Sequence, residues 1–206
     1  MEASESLPGR REKRKQEIRS RIEDAAYELF KGAGIEDVSI EQICLAADVA
    51  RRTFYGHFPN KQALLQSLSQ SRVWFTADEM MHKIVEDHSS TPQRIAAMID
   101  YMETNIASYS DIDRALILIM PGSLDDENHL RDVSDSLRDH LARVFEQGQS
   151  RGDTNCDFTP ELLADMVMGT TNTMIVNWAV NPDYPITEKL QEARRLFASV
   201  ISPAAS

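Results

Sequence analysis

Apolar residues recur three and four positions apart along most of the chain, which is the spacing that places them on one face of a helix. The first such stretch starts near Arg11 and ends at a glycine signal around Gly34. Hardly any segment alternates with the two-residue period of a half-buried strand. The pattern therefore predicts an all-α protein of about nine helices.

Helix starts and turns divide the chain into three parts. Residues 1–9 are polar, contain Pro8 and Gly9, and are expected to form a disordered lead-in. Residues 10–60 hold one longer helix and two short ones, which is typical of a three-helix domain that ends in a helix-turn-helix. Residues 61–206 hold longer helices and predict a larger helical domain.

The two short helices have specific local signals. Ser39 and Gln42 are spaced as a capping box, so a helix is expected to begin after Ser39. Asp48 belongs to the residue types that tolerate the left-handed backbone of a tight turn. A second short helix is predicted from about Ala50 to Gly56.

Proline and glycine signals bound the longer helices. Thr91 and Thr159 are each a capping threonine followed by a proline at the first helical position. Gly148 and Gly152 are predicted to end the helix before them. The expected helices run from 61 to about 88, 91 to 109, 111 to 120, 125 to 147, 159 to 180 and 187 to 201.

The net charge of −11 would oppose binding to nucleic acid if it were evenly spread. However, residues 1–61 contain eleven Lys or Arg and eleven Asp or Glu, whereas residues 62–206 contain eleven and twenty-two. Seven of the basic residues lie within 10–21. Only the N-terminal end is then suited to phosphate, although a solvated helix start explains the basic run equally well.

The segment 39–58 has the composition of a DNA-reading helix-turn-helix. In that motif the second helix lies in the major groove, where arginine donates to guanine, threonine contacts thymine and tyrosine donates to phosphate. The expected core residues are Ile43, Ala46, Val49, Phe54 and Phe58. The outward residues are Arg51, Arg52, Thr53, Tyr55 and His57.

The segment from Val38 to Leu65 closely resembles the DNA-binding signature of the tetracycline-repressor (TetR) family, above all in Thr-Phe-Tyr-x-His-Phe-x-x-Lys at 53–61. The resemblance implies binding to double-stranded operator DNA, with a helical ligand-binding body behind the DNA-binding domain. The positions that it implies as DNA contacts are Thr53, Tyr55, His57 and Lys61, with Tyr55 and Lys61 mainly on phosphates.

The remaining DNA contacts are expected at the start of three helices. Arg51 and Arg52 match family positions that vary with operator sequence, which implies base readout. Ser39 and Lys61 lie at helix N-termini, where free N–H groups favour phosphate. The sequence departs from the family pattern at Asp48, where glycine is usual, and at Ala50, where a serine or threonine usually caps the helix and contacts phosphate.

The last two helices are amphipathic and joined by a short turn, so two copies can form a four-helix interface around a two-fold axis. The family resemblance implies the same homodimer, although an ordinary intrachain core is the alternative. Residues expected at this interface are Met174, Trp178, Leu190, Ala193, Phe197 and Val200.

A small-molecule effector is expected to bind between the middle helices. Methionine-rich apolar positions adapt to varied ligands, although each is individually more typical of plain core. The candidate pocket residues are Trp74, Met98, Tyr101, Met102, Asn105, Met120, Met166, Thr170 and Met174.

Other classes of protein find little support. The sequence lacks a nucleophile turn, a phosphate-binding glycine loop and metal-ligand spacing, so neither an enzyme nor a metal or other cofactor is expected. Cys44 and Cys156 lie far apart, which favours reduced thiols in a cytoplasm. No apolar stretch approaches the roughly 20 residues that cross a membrane, and the charged start of the sequence does not predict a secretory signal.

The interpretation is a homodimeric bacterial repressor that binds a near-palindromic operator and is released by a small molecule. The alternatives are an activator, a regulator without a small-molecule ligand, and a helical ligand sensor whose helix-turn-helix contacts protein.

Overall fold

The computed structural model describes residues 9–119 and 127–203, with the backbone alone at 73–78 and 127–136. Within these ranges the chain forms α-helices and no strand, which confirms the all-α class. The helices are α1 (Arg10–Ala33), α2 (Ile40–Ala46), α3 (Arg51–Tyr55), α4 (Lys61–Ser69), α5 (Phe75–Asp87), α6 (Thr91–Ser108), α7 (Asp111–Leu118), α8 (Glu127–Arg151), α9 (Pro160–Val180) and α10 (Ile186–Ile201).

The extra helix, relative to the nine expected, arises where one helix was predicted from 61 to 88. A π-helical segment, Gln70–Trp74, separates α4 from α5. Ser69 precedes it, is fully buried, and donates from Oγ to the carbonyls of Leu116 (2.8 Å) and Ile119 (3.1 Å). The chain is thus held against the end of α7 where the helical hydrogen-bond pattern changes. The sequence has no proline or glycine here, so nothing in it indicated the interruption.

The chain divides into two compact units, Met1–Leu68 and Ser69–Ser206. The sequence predicts a boundary between 60 and 61, which is the start of α4 and lies eight residues before this division. Most of α4 belongs to the first unit, where its leucines at 64, 65 and 68 are buried.

The core of the first unit joins α1 to the helix-turn-helix. Ile22 and Phe30 of α1 are buried, as are Ile43, Phe54 and Phe58 beyond it. Burial of each such side chain contributes roughly 1.5–3 kcal/mol. This small core fixes α3 as a rigid element whose polar residues are left outside.

One expected core position in the helix-turn-helix was wrong. Ala46 is exposed, and its neighbour Ala47 is buried instead, together with Cys44. Val49 is only half-buried. The buried face of α2 is therefore displaced by one residue, because so short a helix has too few apolar positions to define its face.

The core of the second unit lies among α6, α8, α9 and α10. Its fully buried members include Phe145, Val167, Leu190 and Phe197. α9 packs against α7, α8 and α10, and α10 also packs against α6. No helix of the described residues is long and apolar enough to span a membrane.

Gly148 does not end α8, contrary to the sequence prediction. The helix continues to Arg151, and Gly152 follows with a φ of 78°, the left-handed conformation expected of a helix-ending glycine. A Cβ atom at Gly148 would overlap the hydroxyl oxygens of Thr91 and Thr154. Because Gly148 has no side chain, Thr91 and Thr154 can lie close against α8 at this point.

Candidate nucleic-acid interface

The turn before α3 takes the conformation that its residues allow. Asp48 has a φ of 51°, which confirms that aspartate replaces the usual glycine in the left-handed conformation. The guanidinium of Arg21, on α1, donates to the Asp48 carbonyl at 2.9 Å and to the Ala47 carbonyl. Ala50 is the N-cap of α3 and supplies no side-chain hydrogen bond. Arg21 thus ties the turn to α1.

The two arginines that begin α3 have different surroundings. Arg51 forms an ion pair with Glu41 of α2, with 2.7 Å from Nη1 to Oε1. Its guanidinium lies 5.9 Å from the Tyr55 ring centroid. The side chain of Arg52 is exposed and makes no hydrogen bond or ion pair within the described part of the chain. Arg52 therefore has all its donors available, whereas Arg51 is held across the two helices.

Thr53, Tyr55 and His57 complete the outward side of this segment. Tyr55 is exposed, and its ring packs edge-on against the buried ring of Phe54 at 5.5 Å. Thr53 and His57 are half-buried. The threonine hydroxyl has no hydrogen-bond partner among the described residues, so it is also available.

The electrostatic field at His57 is positive. Burial, followed by the charges of Arg19 and Lys15, lowers the pKa of His57 below its ordinary 6.5. Both cations belong to the basic stretch of α1, so this stretch lies close enough to act on the end of the helix-turn-helix. A positive field beside α3 suits an approaching phosphate.

Ser39 caps α2 as its sequence predicts. Its hydroxyl accepts from the backbone N of Gln42 at 3.2 Å, and the Gln42 side chain accepts from the backbone N of Ser39 at 2.7 Å. This confirms the capping box. The hydroxyl proton of Ser39 remains free to be donated, since the oxygen acts here as an acceptor.

Lys61 has a structural role that sequence reasoning missed. Its ammonium donates to the carbonyls of Val38, at 2.7 Å, and Ile35. It also lies 5.6 Å from the ring centroid of Phe30. Lys61 thus holds the loop between α1 and α2, and its contact with phosphate stays a prediction. The sequence places Lys61 at a helix start, which does not reveal the carbonyls that fold back to it.

Two further functional residues come from the basic stretch of α1. Arg19 lies over the Phe58 ring, 4.8 Å from its centroid, and bonds to Ser67 and Glu23. Arg21 supports the turn described above. The sequence alone shows both only as part of the positive charge of residues 10–21, because only tertiary structure distinguishes a positioned arginine from a solvated one.

The residues expected at a dimer interface mostly belong to the intrachain core instead. Four of the six are buried within the single chain, namely Trp178, Leu190, Ala193 and Phe197. Met174 and Val200 are half-buried against that core. The most apolar face of each amphipathic helix packs inward here, so the outward apolar residues are different ones: Leu162, Val176, Val180 and Leu196.

The residues expected to line a ligand pocket have mixed surroundings. Met98 is buried in the core of the second unit, and its place in a pocket stays a prediction. Trp74 and Met120 lie outside the described side chains. Asn105 donates to the Tyr101 carbonyl at 2.8 Å, one turn earlier on α6. The remaining candidates are half-buried, namely Tyr101, Met102, Met166, Thr170 and Met174.

The family comparison agrees with this geometry. The model for the bacterial regulatory proteins of the TetR family matches residues 22–68, the segment that contains the second half of α1 and the helix-turn-helix. Residues 22–68 therefore form a DNA-binding domain of the TetR type. The chain is thus a DNA-binding transcriptional regulator. No cluster of three or more potential metal ligands occurs among the described residues.

Several relatives with TetR-type DNA-binding domains resemble this chain over most of its length. The transcriptional repressor DhaR of Mycobacterium sp. is 26% identical over 79% of this chain and 83% of its own. FadR of Bacillus subtilis, solved with stearoyl-CoA, superposes with a TM-score of 0.69 at 20% identity, covering 87% and 97% of the two chains. SmeT, the repressor of the Stenotrophomonas maltophilia multidrug efflux pump SmeDEF, superposes with a TM-score of 0.68 at 21% identity, covering 89% of this chain and 90% of its own. The structural matches show a shared fold.

Proposed function

We propose that the protein is a homodimeric transcriptional repressor that binds a near-palindromic operator and is released by a small-molecule effector. The observation that carries this proposal is the surface of α3. It presents an unpaired arginine, a free hydroxyl and an exposed tyrosine in one short helix, beside a positive field from α1. A regulator of this kind acts in the bacterial cytoplasm, where Cys44 and Cys156, both free thiols here, stay reduced.

Base readout falls mainly to Arg52 in this proposal. Its free donors can form two bonds to one guanine, which contributes about 1–3 kcal/mol of discrimination against other bases. Arg51 is oriented by its ion pair with Glu41, in which Nη1 lies 2.7 Å from Oε1, and it approaches the groove in that orientation. Tyr55, Thr53, Ser39 and the basic stretch of α1 contribute phosphate contacts, which fix the register without reading sequence.

The outward face of α9 supports a homodimer. Leu162, Val176 and Val180 are exposed on this helix, and Val180 is 66% exposed. The other outward residues between 169 and 180 are glycine, asparagine and threonine, so this part of the face carries no charge. On α10, Leu196 is likewise exposed. An uncharged face with large apolar residues is favourable for contact with a second copy, and two copies match a palindromic operator.

An effector is supported by the relatives and by the second unit. FadR of Bacillus subtilis holds stearoyl-CoA in a similar fold, and DhaR is a named repressor. Half-buried methionines at 102, 166 and 174 border the core here and adapt readily to an apolar ligand. An effector that prefers one arrangement of the dimer would shift it away from the half-site spacing of the operator.

The decisive experiment is a footprint on DNA flanking the gene, repeated over a salt series. We expect a protected near-palindrome whose affinity falls steeply with salt. Arg52→Ala should weaken operator binding by about 1–3 kcal/mol and relax the preference at one base pair of each half-site. The control is Arg195→Ala, which removes an exposed arginine of α10. Sequence-specific protection that survives both Arg51→Ala and Arg52→Ala in one protein would contradict the assignment of α3.

A further inference from the structure

Three hydrogen-bond donors lie together in the second unit, on α7, α9 and the end of α6. The guanidinium carbon of Arg114, on α7, lies 4.3 Å from the ring centroid of Trp178, on α9. The ring of Tyr109, which follows the last turn of α6, has its centroid 6.0 Å from that of Trp178. The two aromatic rings and the guanidinium therefore form one cluster, called here the donor cluster.

The donor cluster is unsatisfied within the described part of the chain. The side-chain donors of Arg114, Trp178 and Tyr109 make no hydrogen bond or ion pair there. Trp178 is only 4% exposed, so its indole N–H is a buried donor without an acceptor among the described residues. Buried polar groups in native proteins are nearly always paired with protein, water or ligand. The cluster thus calls for acceptors from outside the described chain.

The charge of the cluster is positive. Arginine stays protonated at any physiological pH. Burial, followed by Tyr101 and Asp113, raises the pKa of Tyr109, so its hydroxyl keeps the proton and can donate. The Asp113 carboxylate accepts from the backbone N and hydroxyl of Ser110 at 2.8 and 2.7 Å, at the start of α7. The helix dipole there partly offsets the negative charge of Asp113.

Apolar side chains continue from the cluster along the same helices. Met102 and Ile106 precede Tyr109 on α6, and Met174 lies one turn before Trp178 on α9. All three are half-buried against the core. A ligand that binds the donors can therefore place an apolar body along these side chains.

We propose that Arg114, Trp178 and Tyr109 bind the carboxylate of an amphipathic organic acid, and that such acids are the effector class. The planar guanidinium matches a carboxylate through two parallel hydrogen bonds, and the indole and phenol donate to its remaining lone pairs. This inference rests on the ligand-released repressor proposed above.

The test compares carboxylates with neutral molecules of the same shape. Octanoate and benzoate are titrated into the full-length protein by calorimetry, against octan-1-ol and benzyl alcohol. We expect both carboxylates to bind and Arg114→Gln to weaken their binding at least about tenfold, without changing any binding of the alcohols. Arg143→Gln removes an exposed arginine of α8 as the matched control and should change neither.

A second, more conservative variant separates loss of binding from loss of folding. Trp178→Phe keeps an aromatic ring but removes the indole donor, and it should also weaken carboxylate binding if its thermal unfolding matches that of the wild type. Unchanged binding by a folded Arg114→Gln protein, or no carboxylate binding at millimolar concentration, would overturn the inference. Operator protection measured in parallel separates the two proposals. Protection without carboxylate binding overturns only this inference, whereas carboxylate binding without protection supports the site and contradicts the repressor.

Discussion

The pKa of His57, at the end of the helix-turn-helix, is affected by the positive charges of α1. Because burial, Arg19 and Lys15 lower its pKa below 6.5, the imidazole is neutral at pH 7. A bound phosphate would raise that pKa, so operator binding takes up a proton as the pH falls below about 6.5. We therefore expect operator affinity, measured by fluorescence anisotropy, to rise with acidification, and the rise to be smaller in His57→Gln.

The control for this pH dependence is His88→Gln, which removes a histidine of the second unit. An identical pH profile in His57→Gln and wild type would contradict the proposed role. Stability changes in the opposite direction. Since the folded-state pKa is lowered, the unfolded chain binds the proton more readily, and stability is lost as the pH falls through this range. Affinities are therefore compared only at pH values where unfolding has not begun.

Lys61 offers a second test at the scale of one residue. If its ammonium holds the carbonyls of Ile35 and Val38, Lys61→Met should lower the free energy of unfolding by roughly 1–3 kcal/mol, since hydrogen bonds to a charged group are lost. Denaturant unfolding measures the change. Lys31→Met removes an exposed lysine near the end of α1 and should have little effect. Weakened operator binding with unchanged stability would instead indicate a phosphate contact alone.

At the scale of helices, Gly148 lies inside α8 and is required for packing, although a glycine near a helix end commonly stops the helix. Thr91 and Thr154 are buried beside it, and the Thr91 hydroxyl already accepts from Arg151 at 3.1 Å. Gly148→Ala should therefore lower the free energy of unfolding by about 1–3 kcal/mol through overpacking, despite the better helix propensity of alanine.

The control for Gly148 is Gly32→Ala, near the end of α1, where a Cβ meets nothing within 4 Å. It should be neutral or stabilising by up to about 1 kcal/mol. Equal effects of the two substitutions in denaturant unfolding would show that Gly148 is not constrained by its neighbours.

Sequence patterns predicted elements well where the determining interactions are local. The capping box at Ser39 and the left-handed Asp48 depend on residues within one turn, and both were correct. The π segment after α4 and the helical Gly148 depend on contacts with α7 and Thr91, which lie tens of residues away in sequence. Likewise, the outward residues of α3 follow from a short pattern, whereas the pairing of Arg51 with Glu41 depends on how two helices pack.

At the scale of the whole molecule, the periodicity of an amphipathic helix does not identify what its apolar face packs against. An apolar stripe indicates that a helix face is buried but not whether its partner is the same chain or a second copy. On α10 the stripe containing Leu190 and Phe197 is fully buried within one chain. The weaker opposite faces, with Val176, Val180 and Leu196, are the ones left for a second copy.

A dimer held by this outward face of α9 should be sensitive to charge. Val176→Asp combined with Val180→Asp should convert the dimer to a monomer in analytical ultracentrifugation, because two charges per subunit would be buried without partners. The same protein should lose most of its operator affinity, since each α3 then binds one half-site alone. Phe158→Asp is the matched control: it places a charge at another exposed apolar residue of the second unit, outside α9. A dimer that persists in the double variant would move the interface elsewhere, whereas monomers that still protect the full palindrome would separate DNA recognition from dimerisation.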